Sequence, residues 1–423
     1  MLEIARIRSE KENLILALKK RNIDVTKSLN TIIDLDAKWR TAKTELERIA
    51  AELNQLAKQI GELFKSGKQE EASVIKEQTT KLKQNEGELK TIVEQYEKEI
   101  TLLLYTIPNV PNELVRAGAS EADNEIVHES GVLPAFSFQA LPHWELAKKY
   151  DLIDFELGVK VTGAGFPFYK GKGAKLQRAL IAFFLEEAEK SGYEEYIPPL
   201  VVNEDSGFGT GQLPDKEGQM YHCTEDNFYL IPTAEVPLTN IYRDVLIPSE
   251  DFSIKLTGYT PCFRREAGSY GKDVRGLNRL HQFDKVEIVR IEHPRNTAKA
   301  LDEMLDHVKN LLDKLELPYR ILRLCGGDTG FASALTYDFE VFSAAQEKWL
   351  EVSSCSRFDT FQANRLKLRF KGDDKKNQLC HTLNGSALAL PRIVASILEN
   401  HQTNDGIKIP EALIKYTGFD FIN

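Results

Sequence analysis

The sequence lacks the cysteine patterns that define disulfide-rich proteins and thiolate metal sites. No two of its five cysteines form a C-x-x-C pair, so neither a disulfide framework nor a four-thiolate zinc site is expected. Free thiols in a reducing compartment fit this usage better. The cysteines are Cys223, Cys262, Cys325, Cys355 and Cys380.

The chain also lacks an uncharged apolar run of about 18 residues, the length that a membrane-spanning helix needs. Its N-terminus, MLEIARIRSEKENLILALKKRN, alternates charged and apolar residues and has no signal-peptide core or cleavage site. We therefore expect a cytoplasmic protein without a membrane partner. The pI near 5.6, with a formal net charge of −9, argues against a histone-like, charge-driven nucleic-acid-binding protein, but it leaves open a local basic site. No DNA partner is expected.

Proline is absent from residues 28 to 104, where apolar residues follow a heptad pattern on each side of Gly67. The pattern predicts two helices that turn back at Gly67 and pack as an antiparallel coiled-coil hairpin. The first helix would be a rod roughly 55 Å long. The apolar positions are Ile32, Leu35, Trp39, Ala42, Leu46, Ile49, Leu53, Leu56, Ile60 and Leu63, and then Ile75, Leu82, Leu89, Tyr96 and Leu103.

The hairpin alone is compatible with two roles. A solvated coiled coil serves for dimerisation or as a spacer, whereas a rigid lever reaches a large partner far from the rest of the protein. Lysines gather beside glutamates in the half of the hairpin nearest the turn, and they include Lys58, Lys65, Lys68, Lys76, Lys81 and Lys83.

Pro108 and Pro111 end the hairpin, and the residues after them are typical of a linker. Beyond about residue 130, short β-rich runs follow one another with few helical patterns between them. We therefore predict an α+β fold whose C-terminal part is a mainly antiparallel sheet flanked by helices. The helical patterns are AKLQRALIAFFLEEAEKSG, PRNTAKALDEMLDHVKNLLDKLE and RIVASILEN. The predicted divisions are an N-terminal domain at 1–105 with its arm at about 28–104, a linker at 106–130 and a C-terminal domain at 131–423.

The stretch FRREAGSYGKDVRGLNRLHQFDKVE, residues 263–287, gathers arginines and carboxylates within an acidic chain. It predicts a strand, a glycine-rich loop and an antiparallel return strand, so alternate side chains of both strands meet on one face. Arginine forks suit phosphate oxygens, and an aromatic ring offers a flat surface for a purine. Because the chain has neither a P-loop nor a G-x-G-x-x-G turn, we predict a nucleotide site of another kind. The side chains expected to converge there are Arg264, Glu266, Arg279, Phe283 and Glu287, while His281 and Lys285 share the same face of the return strand.

This stretch resembles motif 2 of class II aminoacyl-tRNA synthetases, in the form found in seryl-tRNA synthetases. The resemblance runs along nearly the whole chain. GYEEYIPPLVVN resembles motif 1, with Pro199 at the dimer-interface position, and TLNGSALALPRIVASILEN resembles motif 3. IPTAEVPLTN is similar to the serine-enzyme signature Thr-Ala-Glu, and GDTGFASALTYDFEVF and EVSSCS match strands that line the pocket. The N-terminal hairpin is similar to the family's tRNA-binding arm.

The resemblance implies an ATP-dependent ligase that converts L-serine to seryl-adenylate and transfers serine to the 3′ end of tRNA(Ser). It implies Mg²⁺ as the metal, ATP as a substrate, and a homodimer whose arm contacts the long variable arm of tRNA(Ser). The tRNA for selenocysteine, tRNA(Sec), is a further substrate that the family suggests. Some relatives carry a pocket zinc, but no thiolate and histidine pair here has suitable spacing, so zinc is not expected.

The resemblance also implies roles for individual residues. The catalytic arginines would be Arg264, Arg279 and Arg392. The rest of the ATP site would be Arg265, Glu266, Phe283, Glu351, Val352, Ser353 and Ser354, with Glu351 and Ser354 as magnesium ligands. The serine site would be Thr233, Ala234, Glu235, Arg264, Glu287, Asn384 and Ser386, with Thr233 and Glu235 on one strand face. The tRNA contacts would come from Lys272 and Arg275 in the motif 2 loop and from Lys58, Lys65, Lys68 and Lys76 on the arm.

Strict strand alternation conflicts with the magnesium assignment. It places Glu351 on the same face as Ser353 rather than Ser354, so the assignment requires a β-bulge or a strand end. Residues taken as structural are His281, His381 and Lys285, because activation needs no general base, and Cys325, Cys355 and Cys380, as buried small residues. The sequence departs from the family's usual pattern at Arg357, Thr360, Asn364, Ala387 and Pro391, which leaves the detailed pocket geometry open.

Two other functions stay open from the sequence. A ligase that loads a carrier protein with a small amino acid would share this active site, although such relatives lack the long arm. A non-catalytic paralogue would use the arm and body for binding alone. That interpretation predicts broken catalytic positions, whereas Arg264, Glu266, Glu351 and Arg392 are intact.

Overall fold

The computed structural model describes residues 1–215, 217–248, 250, 252–266 and 275–423. They divide into two compact units, of which the first comprises Met1–Lys19 and Ile23–Pro108 and the second comprises Lys20–Asn22 and Asn109–Asn423. No helix in these described ranges combines the length and the apolar character that crossing a membrane requires.

The first unit consists of helices. Helix α1 (Ile4–Leu18) precedes two long helices, α2 (Thr26–Lys65) and α3 (Gln69–Leu104), which pack against each other. Gly67 lies in the turn between them with a φ of +74°, a conformation that favours glycine. The apolar heptad positions of both helices are buried or half-buried. The predicted coiled-coil hairpin is therefore confirmed.

A buried carboxylate in the first unit lies outside the apolar pattern. The Asp36 side chain is 3% exposed, and it pairs with Arg8 of α1 at 3.1 Å and with Arg40 of α2 at 3.0 Å. The indole N–H of Trp39 donates to Glu97 of α3 at 3.1 Å. Because a buried carboxylate without partners is costly, these ion pairs favour one arrangement of α1 on α2.

The short segment Lys20–Asn22 belongs to the second unit, although it lies between two helices of the first. The Arg21 side chain is buried, and its guanidinium donates to the carbonyl oxygens of Asn109 (2.9 Å), Thr329 (2.8 Å) and Gly330 (3.2 Å) and to that of Ser333. Burial lowers the pKa of Arg21 to about 10. These bonds satisfy buried carbonyl groups of the second unit.

The second unit contains nine further α-helices among its described residues and all of the named strands. The helices are α4 (His143–Lys149), α5 (Phe155–Val161), α6 (Gly171–Lys190), α7 (Glu204–Thr210), α8 (Glu235–Asn240), α9 (Thr297–Lys314), α10 (Thr360–Leu366), α11 (Leu390–Asn400) and α12 (Glu411–Thr417). The strands are β1 (Glu125–Ser130), β2 (Ile153–Asp154), β3 (Phe168–Tyr169), β4 (Glu194–Glu195), β5 (Val201–Asn203), β6 (His222–Cys223), β7 (Phe228–Leu230), β8 (Leu246–Ile247), β9 (Ile254–Phe263), β10 (Gln282–Glu292), β11 (Tyr319–Arg323), β12 (Leu335–Ser343), β13 (Lys348–Asp359), β14 (Arg369–Lys371), β15 (Asn377–Leu379), β16 (His381–Ala389), β17 (Ile407–Lys408) and β18 (Phe421–Ile422).

Eight strands form the central sheet, in the order β1–β11–β12–β13–β16–β10–β9–β4. Neighbouring strands are antiparallel except for β4 and β9, which are parallel. The three helical patterns of the sequence form α6, α9 and α11. The predicted α+β fold with a mainly antiparallel sheet is therefore confirmed.

The central sheet separates the main hydrophobic core from an open face. On β10, Val286 and Ile288 belong to the core that includes Phe184 of α6 and Val308 of α9. Successive side chains of a strand point to opposite faces, so Lys285 and the residues two positions from it, Phe283 and Glu287, point to the open face.

Candidate active site

A cleft lies over the open face, at the edge where β9 ends and β10 begins, and the start of α11 also lines it. Most of the ATP-site residues named from the sequence line it: Arg264, Glu266, Arg279, Phe283, Glu351, Val352, Ser353 and Arg392. Ser386 of the predicted serine site also lines it, together with Leu277, Asn278, Leu280, Lys285, Ala389 and Pro391. The structure thus brings together side chains from motif 2, β13 and motif 3.

The two motif 2 strands are shorter than the sequence predicts. Strand β9 ends at Phe263 and β10 begins at Gln282, so Arg264 and Glu266 follow one strand and Arg279 precedes the other. Glu266 has a φ of +49°, which breaks the extended backbone. The prediction that these side chains share a strand face is wrong.

The same side chains nevertheless converge from the connecting segments. The Arg279 guanidinium donates to the Glu266 carboxylate. The Arg264 guanidinium lies 5.2 Å from the centre of the Phe283 ring, a cation–π distance. An aromatic surface and two arginines therefore face one cleft.

A buried polar cluster adjoins the cleft at Lys285. The Thr233 hydroxyl donates to Glu287 at 3.1 Å, and the Lys285 ammonium lies 2.6 Å from the same Glu287 oxygen. Glu235 accepts a hydrogen bond from the Gln362 amide at 2.7 Å. All five side chains belong to buried residues. The cluster therefore combines two carboxylates with one ammonium away from water.

The Thr-Ala-Glu signature forms a helix start rather than a strand. Glu235 is the first residue of α8, and its backbone N–H donates to the Thr233 hydroxyl at 3.2 Å. Pro237 is compatible with the helix because the N–H groups of a first turn have no intrahelical partner. The prediction that Thr233 and Glu235 share a strand face is therefore wrong, although both residues reach the cluster.

Burial and like charge shift the carboxylates of this cluster. Burial, and after it the Glu287 charge, raise the pKa of Glu235 to about 7. Burial also raises the pKa of Glu287, against the opposing charge and hydrogen bond of Lys285 and the hydrogen bond from Thr233. Such shifts in a cleft are typical of functional sites. The cluster is suited to a cationic group that restores the balance of charge.

Strand β13 contains the bulge that the magnesium assignment requires. Its register against β12 shifts between Ser353 and Glu351, so Val352 has no partner across the strands. The bulge reverses the alternation of side chains, and Glu351 and Ser354 therefore lie on one face. The Ser353 hydroxyl instead donates to the Ser386 carbonyl oxygen at 2.5 Å.

A carboxylate that the sequence analysis did not single out lies beside this pair. Asp338 on β12 is the cross-strand partner of Ser354, whose hydroxyl bonds to it. Its Oδ1 atom is buried, and the described residues give it no hydrogen-bond partner. Burial, and after it the charge of Glu351, raise the pKa of Asp338 well above its usual value. Its place opposite EVSSCS was the signal that could have identified it.

The oxygens at this position fit a hard cation. Within the described ranges, no group of three or more His, Cys, Asp or Glu side chains is placed to hold a metal by itself. Glu351, Ser354 and Asp338 nevertheless offer carboxylate and hydroxyl oxygens, and one of these, Asp338 Oδ1, is buried without a partner among the residues that the structure describes. Mg²⁺ prefers such oxygens and usually keeps waters and substrate phosphates as further ligands.

The second half of motif 3 forms helix α11, as the helical pattern RIVASILEN predicts. The helix begins at Leu390 and has Pro391 in its first turn. The Arg392 guanidinium donates to the Glu351 carbonyl oxygen at 2.5 Å and lies 3.7 Å from the Glu351 carboxylate. Its Nε atom donates to the Asn278 carbonyl oxygen at 3.2 Å. Arg392 therefore connects β13 with the segment that precedes β10.

The other named residues lie around the cleft or away from it. Arg265 is exposed. Asn384 lies on β16, and Ala234 directly precedes α8. Arg275 is exposed, with its guanidinium 4.9 Å from the Trp144 ring centre. Lys272 lies outside the described residues. Exposed side chains also include those of Pro199 and of the arm lysines Lys58, Lys65, Lys68 and Lys76.

Most residues taken as structural have structural partners. His281 stacks on Phe166 with ring centroids 5.4 Å apart, and His381 Nδ1 lies 2.8 Å from the Thr297 hydroxyl. Lys285 has a structural partner as well, because its ammonium pairs with Glu287, and it also lines the cleft. Buried free thiols, as predicted, are Cys325, Cys355 and Cys380.

Comparisons with known proteins cover both units. Residues 1–111 match the seryl-tRNA synthetase N-terminal domain, and residues 221–401 match the tRNA synthetase class II core domain (G, H, P, S and T). The serine--tRNA ligase of Salinibacter ruber is 50% identical over 421 residues, which cover 99% of this chain and 98% of that protein.

Solved structures also match over the whole chain. The seryl-tRNA synthetase from Pyrococcus horikoshii complexed with ATP is 32% identical with a TM-score of 0.91, covering 100% of this chain and 99% of that one. The cytoplasmic serine-tRNA ligase from Naegleria fowleri in complex with AMP is 27% identical with a TM-score of 0.87, at the same coverage of 100% and 99%.

Proposed function

This chain belongs to the seryl-tRNA synthetase family of class II aminoacyl-tRNA synthetases, and we propose that it activates L-serine with ATP and transfers the seryl group to the 3′ end of tRNA(Ser). The observation that carries the proposal is the buried cluster of Thr233, Glu235, Lys285 and Glu287 beside an arginine-lined cleft. A small amino acid held in the cluster would present its carboxylate to a nucleotide in the cleft.

Activation forms a bond between the serine carboxylate and the α-phosphate of ATP, and pyrophosphate leaves. The protein supplies position and positive charge for this displacement rather than a covalent intermediate. Arg264 would hold the α-phosphate and the serine carboxylate, while Arg279 and Arg392 would hold the outer phosphates of a bent ATP. Phe283 would stack on the adenine, and Glu266 would accept from its exocyclic amine.

Two of these arginines already have carboxylate partners. Arg279 binds Glu266, and Arg392 lies beside Glu351. ATP binding would exchange these carboxylates for phosphate oxygens, so neither arginine is an uncompensated charge before the nucleotide arrives. The exchange would also free Glu266 for the adenine amine.

Glu351 and Ser354 would hold Mg²⁺, with Asp338 orienting the Ser354 hydroxyl. Mg²⁺ supplies neutralisation of phosphate charge when it is bound. The bulge at Val352 supports this assignment because it brings both ligands to one face.

Serine would be recognised at both of its polar ends. Glu235 would bind the ammonium group, with Thr233 and the backbone at Ala234 beside it, and Glu287 and Ser386 would contact the hydroxyl group. A site that waits with buried groups for a hydroxyl discriminates against alanine by up to about 10⁴–10⁵-fold in favourable cases. Lys285 supports this role because it keeps Glu287 in place as an acceptor.

Serine binding should depend on the protonation of Glu235. Its pKa of about 7 means that the carboxyl group is largely neutral at pH 6 and ionised at pH 8. Only the ionised form pairs with the serine ammonium, so kcat/KM for serine should rise roughly tenfold per pH unit below the pKa and level off above it. Steady-state pyrophosphate exchange between pH 5.5 and 8 measures this dependence.

Glu235→Gln is the control for that profile. It keeps the size of the side chain and removes the titration, so its kcat/KM for serine should be low and nearly independent of pH. A profile that is the same in the variant and the parent would assign the pH dependence to another group.

The second unit presents an exposed apolar surface that supports a homodimer. In the motif 1 segment, Ile197 is 90% exposed and Pro199 is exposed as well.

The exposed arm lysines Lys58, Lys65, Lys68 and Lys76 would contact phosphates of the long variable arm of tRNA(Ser), and of tRNA(Sec) where one exists. Arg275 in the motif 2 loop would approach the tRNA acceptor end.

The proposed function is tested by transfer of labelled serine to total tRNA, using the full chain, ATP and Mg²⁺. We expect label in acid-precipitable RNA with serine and not with alanine or threonine. Serine-dependent pyrophosphate exchange without label in RNA would replace the proposal with a carrier-protein ligase. The absence of both signals would favour a non-catalytic role.

A further inference from the structure

Two fully buried residues behind the cleft have no part in the mechanism above. His143 of α4 and Glu399 of α11 are separated by 256 positions, and both side chains have an exposed fraction of 0%. His143 Nδ1 lies 2.7 Å from Glu399 Oε1, and the His143 backbone N–H donates to the same oxygen at 3.0 Å. The pair is therefore a fixed contact between α4 and α11.

The other ring nitrogen of His143 binds the backbone of the motif 2 segment. The Leu277 N–H donates to His143 Nε2 at 2.9 Å. A ring nitrogen that accepts a hydrogen bond carries no proton, so the ring proton is on Nδ1 and is donated to Glu399. Glu399 thus orients the imidazole, and the imidazole holds Leu277, which lies two residues before Arg279.

Gly276 shows how closely the segment approaches the imidazole. It has a φ of +70°, and a Cβ atom at this position would lie 2.2 Å from His143 Nε2. Glycine is the residue that adopts this conformation without strain and leaves room for the ring. The path of the segment is therefore set by the position of His143.

A second branch from Glu399 reaches the next residue of the same segment. The Gln346 side-chain amide donates to Glu399 at 3.1 Å, and its oxygen accepts from the Asn278 amide at 3.0 Å. The Asn278 carbonyl oxygen accepts from Arg392 Nε at 3.2 Å. The first branch therefore reaches Leu277, two residues before Arg279, and the second reaches Arg392 through Asn278. These are the two arginines proposed for the outer phosphates of ATP.

We propose that His143 and Glu399 are positioning residues for ATP. They hold residues 276–278 so that, before the nucleotide binds, Arg279 and Arg392 already face the place where its phosphates will lie. Arg392 and Glu399 are seven residues apart, so they lie on the same side of α11. Misplacement of a binding group by about 1 Å can cost about a hundredfold in rate. The inference rests on the proposed function for its kinetic consequence, but its structural part does not.

Amide hydrogen exchange tests the structural part without any substrate. In the full-length protein, His143→Ala should speed exchange of the Leu277 amide by at least about tenfold, because the amide loses its acceptor. His307→Ala is the matched control, since His307 is also buried but bonds to Ser191 instead. Equal exchange of Leu277 in His143→Ala and the parent would overturn the proposal.

Kinetics test the functional part. His143→Ala should raise the KM for ATP in pyrophosphate exchange by about tenfold or more and change the KM for serine by less than about twofold. His307→Ala should change neither constant beyond what its loss of thermal stability explains. An unchanged KM for ATP, or an equal rise in both constants, would contradict a role in positioning the phosphate arginines.

Gly276→Ala disturbs the same contact from the loop and keeps both His143 and Glu399 in the sequence, so it serves where His143→Ala loses its fold. It should also raise the KM for ATP, and the double variant should be no worse than the worse single variant if both act through one contact. Additive effects would contradict that contact. If the parent exchanges no pyrophosphate with serine, the proposed function fails, while exchange of the Leu277 amide still decides whether His143 fixes the segment.

Discussion

Replacement of Arg264 by alanine is expected to lower serine-dependent pyrophosphate exchange by about a thousandfold or more. The guanidinium lies over Phe283 and faces the cleft, where it would meet both the α-phosphate and the attacking carboxylate. Loss of one fixed donor to developing charge typically costs about 10²–10³ in kcat, and Arg264 would serve both reactants. Initial rates at saturating serine and ATP measure the effect.

The fold should survive this substitution. The Arg264 backbone N–H donates to the His281 carbonyl oxygen at 2.9 Å, and alanine keeps that bond. Arg295→Ala is a matched control, because this arginine is 74% exposed and pairs with Asp373 at 3.0 Å away from the cleft. Both variants should unfold at nearly the same temperature as the parent. Parent-like exchange in Arg264→Ala would remove Arg264 from the activation step.

Shortening of the helical hairpin should separate the two half-reactions. Deletion of residues 43–92 with a glycine-rich turn between Ala42 and Val93 keeps the base of the hairpin, including the Asp36 ion pairs. We expect tRNA charging to fall by at least about a hundredfold, because the phosphate contacts of the arm supply affinity for tRNA. Pyrophosphate exchange, which needs only serine and ATP, should stay within about twofold of the parent.

A full-length variant with glutamine at the four named arm lysines is the control for that deletion. It keeps the length of the hairpin and should raise the KM for tRNA while weakening its dependence on salt. Charging at the parent rate by the shortened protein would show that the hairpin does not bind tRNA. A parallel loss of pyrophosphate exchange would show instead that the hairpin stabilises the active site.

The features that the sequence predicted correctly depend on local repetition. The hairpin follows from heptad spacing on each side of Gly67, and helix α11 follows from Pro391 and the apolar pattern after it. The convergence of Arg264, Glu266 and Phe283 follows from two consecutive strands joined by one loop. Neighbours in sequence determine each of these arrangements, so no tertiary information is needed.

The features that the sequence missed depend on tertiary contacts or on single backbone angles. The positive φ of Glu266 ends the extended backbone, and the Thr233 hydroxyl meets the N–H of Glu235 at a helix start. Neither feature has a periodic signal. Contacts over long sequence distances, such as that of His143 with Glu399, become visible only when α4 and α11 are packed together.

The burial of Arg21 restricts which truncations of the protein leave the second unit intact. Because its guanidinium bonds to the carbonyl oxygens of Asn109, Thr329 and Gly330, a chain started after the hairpin would leave those acceptors without their donor. A simple 5′ truncation is therefore a poor route to a minimal catalytic fragment. An internal deletion or a heptad-length insertion near the hairpin turn keeps Lys20–Asn22, and with it the hydrogen bonds of Arg21 to the second unit.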